Sequence, residues 1–215
     1  MNVAFLGMST EDKQFLILCL AKIISCHTKV RVLSKHPYTF DEINETYEYC
    51  GIEFILLKEG DDPLSKLSIE ASNLIDAEEY INIPEDFKII AISETTRVML
   101  ENCVKLAGEY TWFKPSINIY LVYLNIMEYC KIGKRYLDCF WERGLPRFTE
   151  IKEIYEIFFE EKNRIVMIES QYSKNLSIRK MSSPYRAALR NIIQDIFSMD
   201  INEAKALIKT AERMK

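Results

Sequence analysis

The chain has 215 residues, of which 48% are hydrophobic and 28% are charged, and its formal net charge is −4 at pH 7. This composition is ordinary for a soluble globular protein, and the length allows a substantial core in one domain. The negative charge argues against a constitutive nucleic-acid-binding protein, which carries a strongly basic surface. We therefore expect a single domain over residues 1–215.

The first sixty residues predict three strands and two helices. Thr39 and Glu42 form a T-x-x-E capping box, which predicts a helix that ends at Gly51. The first helix is apolar nearly all round, which indicates that it is buried. In chain order the elements are strand Val3–Leu6, helix Lys13–Ser25, strand Lys29–Ser34, the capped helix, and strand Ile52–Lys58.

Residues 59–86 predict no clear element, and we find no convincing strand there that ends in an aspartate. Beyond them strands and helices alternate again. They are strand Lys88–Ser93, a helix capped by Ser93 and ending at Gly108, strand Ile117–Asn125, helix Lys134–Arg143, an aromatic helix Glu150–Glu161, strand Arg164–Ile168, and two terminal helices within about 183–215, the second capped by Asp200 and Glu203. This alternation predicts an α/β fold with three layers, a mainly parallel sheet with helices on both faces.

Cysteine and histidine spacing predicts no metal site. The six cysteines form no C-x-x-C pair, and the two histidines, His27 and His36, complete no ligand set. The N-terminus lacks the cationic start of a signal peptide, and the apolar run FLILCLA is too short to span a bilayer. We expect a cytoplasmic protein with reduced thiols, either free or peripheral to a membrane-bound assembly.

A partial nucleotide motif lies between the first strand and the first helix. Gly7 and Lys13 stand in register with the first glycine and the lysine of G-x-x-x-x-G-K-[ST]. Asp12 replaces the second glycine, and Gln14 replaces the hydroxyl residue that would hold Mg²⁺. Gly7 and Lys13 are therefore candidate nucleotide-binding residues, although a solvated lysine on an acidic turn remains an alternative for Lys13.

Four segments carry a resemblance to a known family: FLGMSTEDKQ, VRVLSKHP, YLVYLN and RIVMIESQYSKNLSIRKMSSPY. In these segments and in the order of its elements the chain resembles the ParA/MinD family of P-loop ATPases, which position plasmids, division sites, pili and other large assemblies. The resemblance implies a P-loop NTPase-like fold. It also implies that Asn125, at the end of YLVYLN, contacts adenine if a nucleotide is bound; the alternative is that Asn125 caps the next turn.

The departures from the family concern its catalytic groups. Met8 falls where the family has its signature lysine, and Ser34 and His36 replace the two aspartates of D-x-D-P, with Pro37 retained. Phosphoryl transfer needs positioning and charge neutralisation by metal and lysine, so these losses predict no catalytic residues and no hydrolysis. We expect no cofactor, with ATP as the one candidate.

Two further patterns leave alternatives open. Cys26 beside His27 could form a reactive thiolate or be an ordinary reduced cysteine at a helix end, and His36 could be a general base or a loop histidine. The basic residues Lys174, Arg179, Lys180, Arg186 and Arg190 indicate a solvated face or a contact with an acidic partner, DNA or anionic lipid.

These observations favour a non-catalytic relative of ParA/MinD-type ATPases that acts as an adaptor or positioning factor in a bacterial assembly of the pilus, secretion, conjugation or partition type. Its expected partner is a protein of that assembly. The alternatives are an ATP-binding switch or weak ATPase that uses Lys13 and Asn125, and a small-molecule enzyme on an unrelated doubly wound sheet. Because Glu11 and Asp12 would repel their copies across an ATP-gated dimer, any homodimer is expected to be constitutive, through the aromatic segment containing Tyr155.

Overall fold

The computed structural model describes residues 1–39, 44–114 and 117–214. Within these residues the chain forms eight strands and six α-helices. The strands are β1 (Asn2–Leu6), β2 (Val30–Ser34), β3 (Thr46–Tyr49), β4 (Ile52–Leu56), β5 (Ser72–Ala77), β6 (Lys88–Glu94), β7 (Asn118–Ile126) and β8 (Glu150–Phe158). The helices are α1 (Glu11–Ile24), α2 (Arg97–Phe113), α3 (Lys134–Gly144), α4 (Glu161–Ser173), α5 (Ser183–Phe197) and α6 (Ile201–Ala211).

The strands form one sheet in the order β3-β4-β2-β5-β1-β6-β7-β8. The pairings of β2 with β4 and β5, of β6 with β1 and β7, and of β7 with β8 are parallel, whereas β3 is antiparallel to β4. The described residues fall into two compact units. The first unit comprises Met1, Gln14–Asp76 and Glu160–Lys215, and the second comprises Asn2–Lys13 and Ala77–Phe159.

The core of the first unit lies around α1. From Phe15 to Ile24 every residue of this helix is buried, as the apolar sequence predicts. Phe15 packs against Tyr185 of α5 with ring centroids 6.1 Å apart. Tyr49 at the end of β3 donates a hydrogen bond to the Ser170 carbonyl of α4. The terminal helices are therefore part of this core.

The core of the second unit lies between its strands and the packed pair α2 and α3. The two helices meet at glycines, because a Cβ on Gly144 would lie 2.2 Å from Val104 Cγ1 and one on Gly108 would lie 3.8 Å from the Gly144 carbonyl oxygen. The prediction that α2 ends at Gly108 is wrong for this reason: the glycine allows close helix packing inside α2, which continues to Phe113.

A β-hairpin replaces the helix predicted to end at Gly51. Residues 46–49 form β3, and Cys50 and Gly51 have φ values of 53° and 77°, the two positive angles of a tight hairpin turn. Lys22 Nζ donates to the Cys50 carbonyl oxygen at 3.0 Å, which supports the turn. Glu42 of the predicted capping box lies outside the described residues.

The structure reverses the predictions for residues 150–168. Glu150–Phe158 is strand β8 rather than an aromatic helix, because its exposed and buried side chains alternate and its isoleucines and aromatics favour strands. Arg164–Ile168 lies within helix α4 rather than in a strand, since the buried positions of α4 recur at helical spacing. Tyr155 is only 6% exposed, so it is a core residue and not a surface for dimers.

Pairing between β7 and β8, the last strand in the sheet order, is interrupted at two places, and at the second of them Asn125 of β7 has no opposite residue. Ile119 of β7 lies opposite Ile151, whereas the next residue, Tyr120, lies opposite Glu153, so Lys152 has no opposite residue. The intervening residue marks a β-bulge, which bends a strand and strengthens its twist.

Strand β5 was missed in the sequence because half of its residues are polar. All six are buried, and the side chain of Asn73 is satisfied locally, since it donates to the Ser68 carbonyl oxygen at 2.8 Å and accepts from the Ser68 N–H at 2.9 Å. This bonding lets a polar residue occupy a buried strand.

Helix capping is resolved at three helices. Ser182 caps α5 by accepting from the Tyr185 N–H, and the predicted capping box of Asp200 and Glu203 at α6 is present. Ser93, by contrast, lies in β6 and does not cap α2, which begins after Thr96. Within the described ranges no helix combines the length and the apolar character needed to cross a membrane.

Candidate functional site

The candidate site is built on the loop that joins β1 to α1, residues 7–10, which we call the β1–α1 loop. Gly7 has φ 125° and its N–H donates to the Ala77 carbonyl oxygen at 3.1 Å. A Cβ at this position would lie 2.7 Å from the Ile92 carbonyl oxygen. Glycine is therefore required here both by the backbone angle and by the close approach of β6.

Lys13 is turned into the protein. Its side chain is 1% exposed, and its Nζ donates to the Gly7 carbonyl oxygen at 2.5 Å and to the Ala77 carbonyl oxygen at 3.4 Å. These acceptors compensate an ammonium group that would otherwise be costly to bury. Lys13 is therefore not a solvated lysine on an acidic turn.

Two carboxylates of the chain itself bind the β1–α1 loop. The Ser9 N–H donates to Glu78 Oε1 at 2.6 Å, and the Thr10 hydroxyl donates to Glu94 Oε1. The same hydroxyl oxygen accepts from the Lys13 N–H at 3.2 Å, where it links the loop to α1. In a phosphate loop such donors converge on a bound anion. Here they make charge-assisted hydrogen bonds to side chains of the second unit.

The first turn of α1 carries further negative charge. Glu11 and Asp12 lie there, where carboxylates interact favourably with the positive end of the helix dipole. Met8, at the position of the family's signature lysine, is exposed and is contacted by the Asn102 amide, with 3.1 Å between nitrogen and sulfur. The loop therefore offers a neutral side chain and carboxylates where a triphosphate would need cations.

The first unit contains a hydrogen-bonded group around one buried carboxylate, which the sequence analysis missed. Asp76, near the carboxyl end of β5 and 4% exposed, accepts hydrogen bonds at Oδ2 from the Tyr38 hydroxyl at 3.1 Å and from the Ser34 hydroxyl at 3.4 Å. The Ser34 hydroxyl oxygen also accepts from the His36 N–H at 3.0 Å. Asp76 is the strand-end aspartate that the sequence of residues 59–86 did not reveal. The signal for it was the apolar pair Leu74–Ile75 directly before it.

Asn125 lies in the second unit, near the end of β7, with φ 59°. Asparagine tolerates this left-handed backbone better than most residues. Its carbonyl oxygen accepts from the Thr95 hydroxyl at 3.5 Å, a long contact. The position at a strand end agrees with either predicted role, an adenine contact or a turn.

Cys26 has the properties of an ordinary thiol. Burial raises the pKa of the Cys26 thiol, an effect that the nearby charge of Lys22 only partly offsets. Its sulfur lies 3.2 Å from the sulfur of Met214. A reactive thiolate needs a lowered pKa, so the structure favours the unreactive alternative. In the portion of the chain that is described, no three His, Cys, Asp or Glu residues are grouped as metal ligands.

The parallel sheet, the glycine-bearing loop between β1 and α1, and the lysine at the start of that helix define the P-loop NTPase class of fold. No protein-family model and no curated protein matches the sequence. In structure the chain is similar to the MinD cell division protein of Aquifex aeolicus, with a TM-score of 0.57 and 10% identity over 93% of this chain and 98% of that one. A MinC:MinD cell division protein complex of Aquifex aeolicus gives a TM-score of 0.49 at 12% identity, over 99% and 94% of the two chains.

The likeness to MinD establishes the fold and confirms the predicted class. The chain has an α/β fold of the ParA/MinD type, with a mainly parallel sheet and helices, as the resemblance implied. At 10% identity it carries no information about activity or partners. Those follow from the chemistry of the side chains.

Proposed function

We propose that this protein is a non-catalytic relative of the ParA/MinD-type ATPases, an adaptor or positioning factor in a bacterial macromolecular assembly of the pilus, secretion, conjugation or partition type. The contact of Glu78 with the Ser9 N–H carries the proposal, because it places the chain's own carboxylate on a donor of the β1–α1 loop. A loop whose donor already binds a carboxylate of the chain is satisfied without a bound nucleotide.

A triphosphate would have to displace Glu78 and Glu94 from the loop. Both carboxylates, with Glu11 and Asp12 in the next turn, would then lie near the phosphates. Two like charges 4 Å apart repel by about 4 kcal/mol at the effective dielectric of a protein surface. Gln14 supplies no hydroxyl for Mg²⁺, so this repulsion has no obvious counterion.

An adaptor needs a surface for its partner, and the second unit has an aromatic one. Trp112 is 68% exposed and contacts Phe148, with ring centroids 6.5 Å apart, while Tyr136 stacks on Phe140 at 6.3 Å. The rings of Tyr136 and Phe140 belong to a cleft of about 750 Å³ whose other lining residues are Lys131, Arg135, Cys139, Arg143 and Gly144. Aromatic residues and arginine are enriched in protein interfaces. This surface, and not the segment 150–161, is the one we assign to a protein partner or a second copy.

Thermal unfolding with ATP or ADP and Mg²⁺ tests the proposal. A ligand that binds only the folded state raises the melting temperature, so an adaptor without a nucleotide site shows no rise at millimolar nucleotide. In a phosphate-release assay we also expect no hydrolysis of ATP, with or without partner proteins. A nucleotide-dependent rise in the wild type, or metal-dependent turnover that is lost in Lys13→Ala, contradicts the proposal.

The buried carboxylate of Asp76 favours one second candidate, an ATP-binding switch or weak ATPase. A strand-end aspartate is the acid that supports the metal in the resembled family, and Asp76 lies near the carboxyl end of β5. Replacing both loop carboxylates separates the candidates. If the loop is closed by its own acids, only Glu78→Gln with Glu94→Gln gains a nucleotide-dependent rise, and the control Glu101→Gln does not. A switch shows the rise already in the wild type.

A further inference from the structure

The helices α5 and α6 enclose a small basic cleft in the first unit, which we call the α5–α6 cleft. Its volume is about 290 Å³. The lining consists of Ser183, Arg186, Ala187 and Arg190 from α5 and Lys205, Ile208, Lys209 and Glu212 from α6 and its end. Half of these residues are basic and one is acidic, although the chain as a whole has a net charge of −4.

The four cations face one another as two like-charged pairs. Arg186 and Arg190 are one turn apart on α5, and Lys205 and Lys209 are one turn apart on α6. Like charges at this spacing destabilise a helix. Among the residues that the structure describes, the acid in this lining, Glu212, pairs with one of the four cations, since its Oε1 accepts from Arg186 Nη1 at 2.5 Å. The cleft therefore has an excess of positive charge.

The two arginines also keep donors that nothing in the described chain accepts. The Nε atoms of Arg186 and Arg190 are both buried and have no hydrogen-bond acceptor among the described residues. Arg190 Nη2 makes only a long contact of 3.4 Å with Asn191 Oδ1. A buried donor without an acceptor is unfavourable, and movement of either guanidinium onto an anion would relieve that cost.

The cleft lies beside the N-terminal half of α5, and Ser183, the first residue of that helix, lines it. The end of α5 itself is already capped, because Ser182 Oγ accepts from the Tyr185 N–H and donates to Glu160 Oε1 at 2.9 Å. The groups left to bind an anion are therefore the basic side chains of the cleft. Arginine forks and lysine ammonium groups both bind phosphate oxygens in proteins.

From these observations we infer that the α5–α6 cleft is a binding site for a phosphate group, carried either by a small phosphorylated molecule or by a lipid headgroup. The inference does not depend on the proposed function, because the cleft shares no residue with the β1–α1 loop. The volume of about 290 Å³ suits a small phosphorylated group rather than an extended polyanion, since it lies at the lower end of the volumes of small-molecule pockets. Arg186 and Arg190 donate hydrogen bonds to the phosphate oxygens, and Lys205 and Lys209 neutralise the negative charge of the phosphate.

Titration calorimetry with inorganic phosphate, at ionic strength held constant with sodium chloride, tests the site. We expect saturable binding to the wild type. In Arg190→Gln with Lys209→Gln the affinity falls at least about tenfold, the factor for one charge-assisted hydrogen bond. The matched control Lys105→Gln with Lys162→Gln, which removes two exposed cations that line no cleft described above, binds phosphate like the wild type. Circular dichroism verifies that each variant is folded.

A third variant changes the affinity in the opposite direction. Glu212→Gln removes the only acid in the lining and frees Arg186 from its ion pair, so phosphate affinity rises several-fold. A merely structural role for these residues gives no such rise. If phosphate binds the wild type no better than chloride, or if Glu212→Gln weakens binding, the assignment is wrong.

Two further arms identify the source of the phosphate. Glycerol 3-phosphate is the small-molecule probe, and phosphatidylcholine vesicles with and without phosphatidic acid are the lipid probe. If one of these two probes binds the wild type and its binding is lost in Arg190→Gln with Lys209→Gln, the result supports the site and shows which molecule carries the phosphate. Duplex DNA that binds more tightly than both and loses affinity in the same variant overturns the assignment, because the surface then recognises an extended polyanion.

Discussion

The β1–α1 loop and the α5–α6 cleft both gather hydrogen-bond donors beside a helix, but they differ in the groups that accept from those donors. At the loop, the Ser9 N–H and the Thr10 hydroxyl donate to carboxylates of the chain itself. At the cleft, the basic residues outnumber the acidic ones by four to one, and two arginine Nε atoms have no acceptor in the described structure. The donors of the β1–α1 loop are therefore satisfied by carboxylates of the chain, whereas the α5–α6 cleft keeps an excess of positive charge.

Gly7 and Lys13 both have structural contacts in the second unit: Gly7 admits the Ile92 carbonyl, and Lys13 binds two backbone oxygens. Three predictions test whether the loop is a structural element, from the largest expected effect to the smallest.

The largest effect is expected for Gly7→Ala. Its backbone angle and the approach of the Ile92 carbonyl both exclude a Cβ, so the free energy of unfolding falls by about 3 kcal/mol. Gly60→Ala is the matched control, since Gly60 also has a positive φ but no atom lies within 4 Å of the place that its Cβ would take, and it costs about 1 kcal/mol. Urea unfolding of both variants measures the difference. Equal effects would mean that the β6 contact is unimportant.

A smaller loss is expected for Lys13→Met. This change leaves the Gly7 and Ala77 carbonyl oxygens without the ammonium donor and lowers the free energy of unfolding by about 2 kcal/mol. Lys131→Met, at an exposed position, changes it by less than about 0.5 kcal/mol. Unchanged stability in Lys13→Met, together with a lost response to ATP, would instead assign Lys13 to a nucleotide.

The effect that is smallest near neutral pH, and that grows only in alkali, concerns Cys103, whose sulfur would lie 3.6 Å from a Cβ on Gly7. Burial raises the pKa of the Cys103 thiol to about 12. Between the ordinary thiol pKa and this value the unfolded chain releases a proton that the folded chain keeps, so stability falls as pH rises from about 9, by up to about 1.4 kcal/mol per pH unit. Below that range the contribution is fully present.

Unfolding of the wild type and Cys103→Ala between pH 8 and pH 11 isolates this thiol from the other buried groups that ionise there. The slope of stability against pH is shallower in Cys103→Ala by about one proton. Identical slopes would show that water reaches Cys103, and therefore that the loop beside it opens.

The accuracy of the sequence predictions followed the strength of the local signal. Strand β1, helix α1 and the capping box of α6 were predicted because a long apolar run or a capping pair is sufficient by itself. The apolar runs in residues 150–168 are short enough to suit either a strand or a helix. The strand β8 was therefore predicted as a helix, and part of the helix α4 was predicted as a strand. Strand β5 was missed because its buried polar side chains are satisfied by partners that the sequence does not reveal.

The candidate site was predicted only in part for a similar reason. The spacing of Gly7 and Lys13 is local and was visible in the sequence. Two contacts of the site join residues more than sixty positions apart, namely Lys13 with Ala77 and Ser9 with Glu78. No local sequence pattern encodes such contacts. Asp76 likewise depends on Tyr38, from another part of the chain, for its hydrogen bond.

The interrupted pairing of β8 has a consequence for behaviour at high concentration. Among the described strands β8 has only β7 as a neighbour, and an exposed strand edge is a template for pairing with other molecules. The bulge at Lys152 twists this edge, and Lys152, Glu153 and the ion-paired Glu150 and Glu156 make it charged, so a copy of the same strand would meet poor register and charged side chains rather than an apolar edge. The edge thereby resists growth into fibrils.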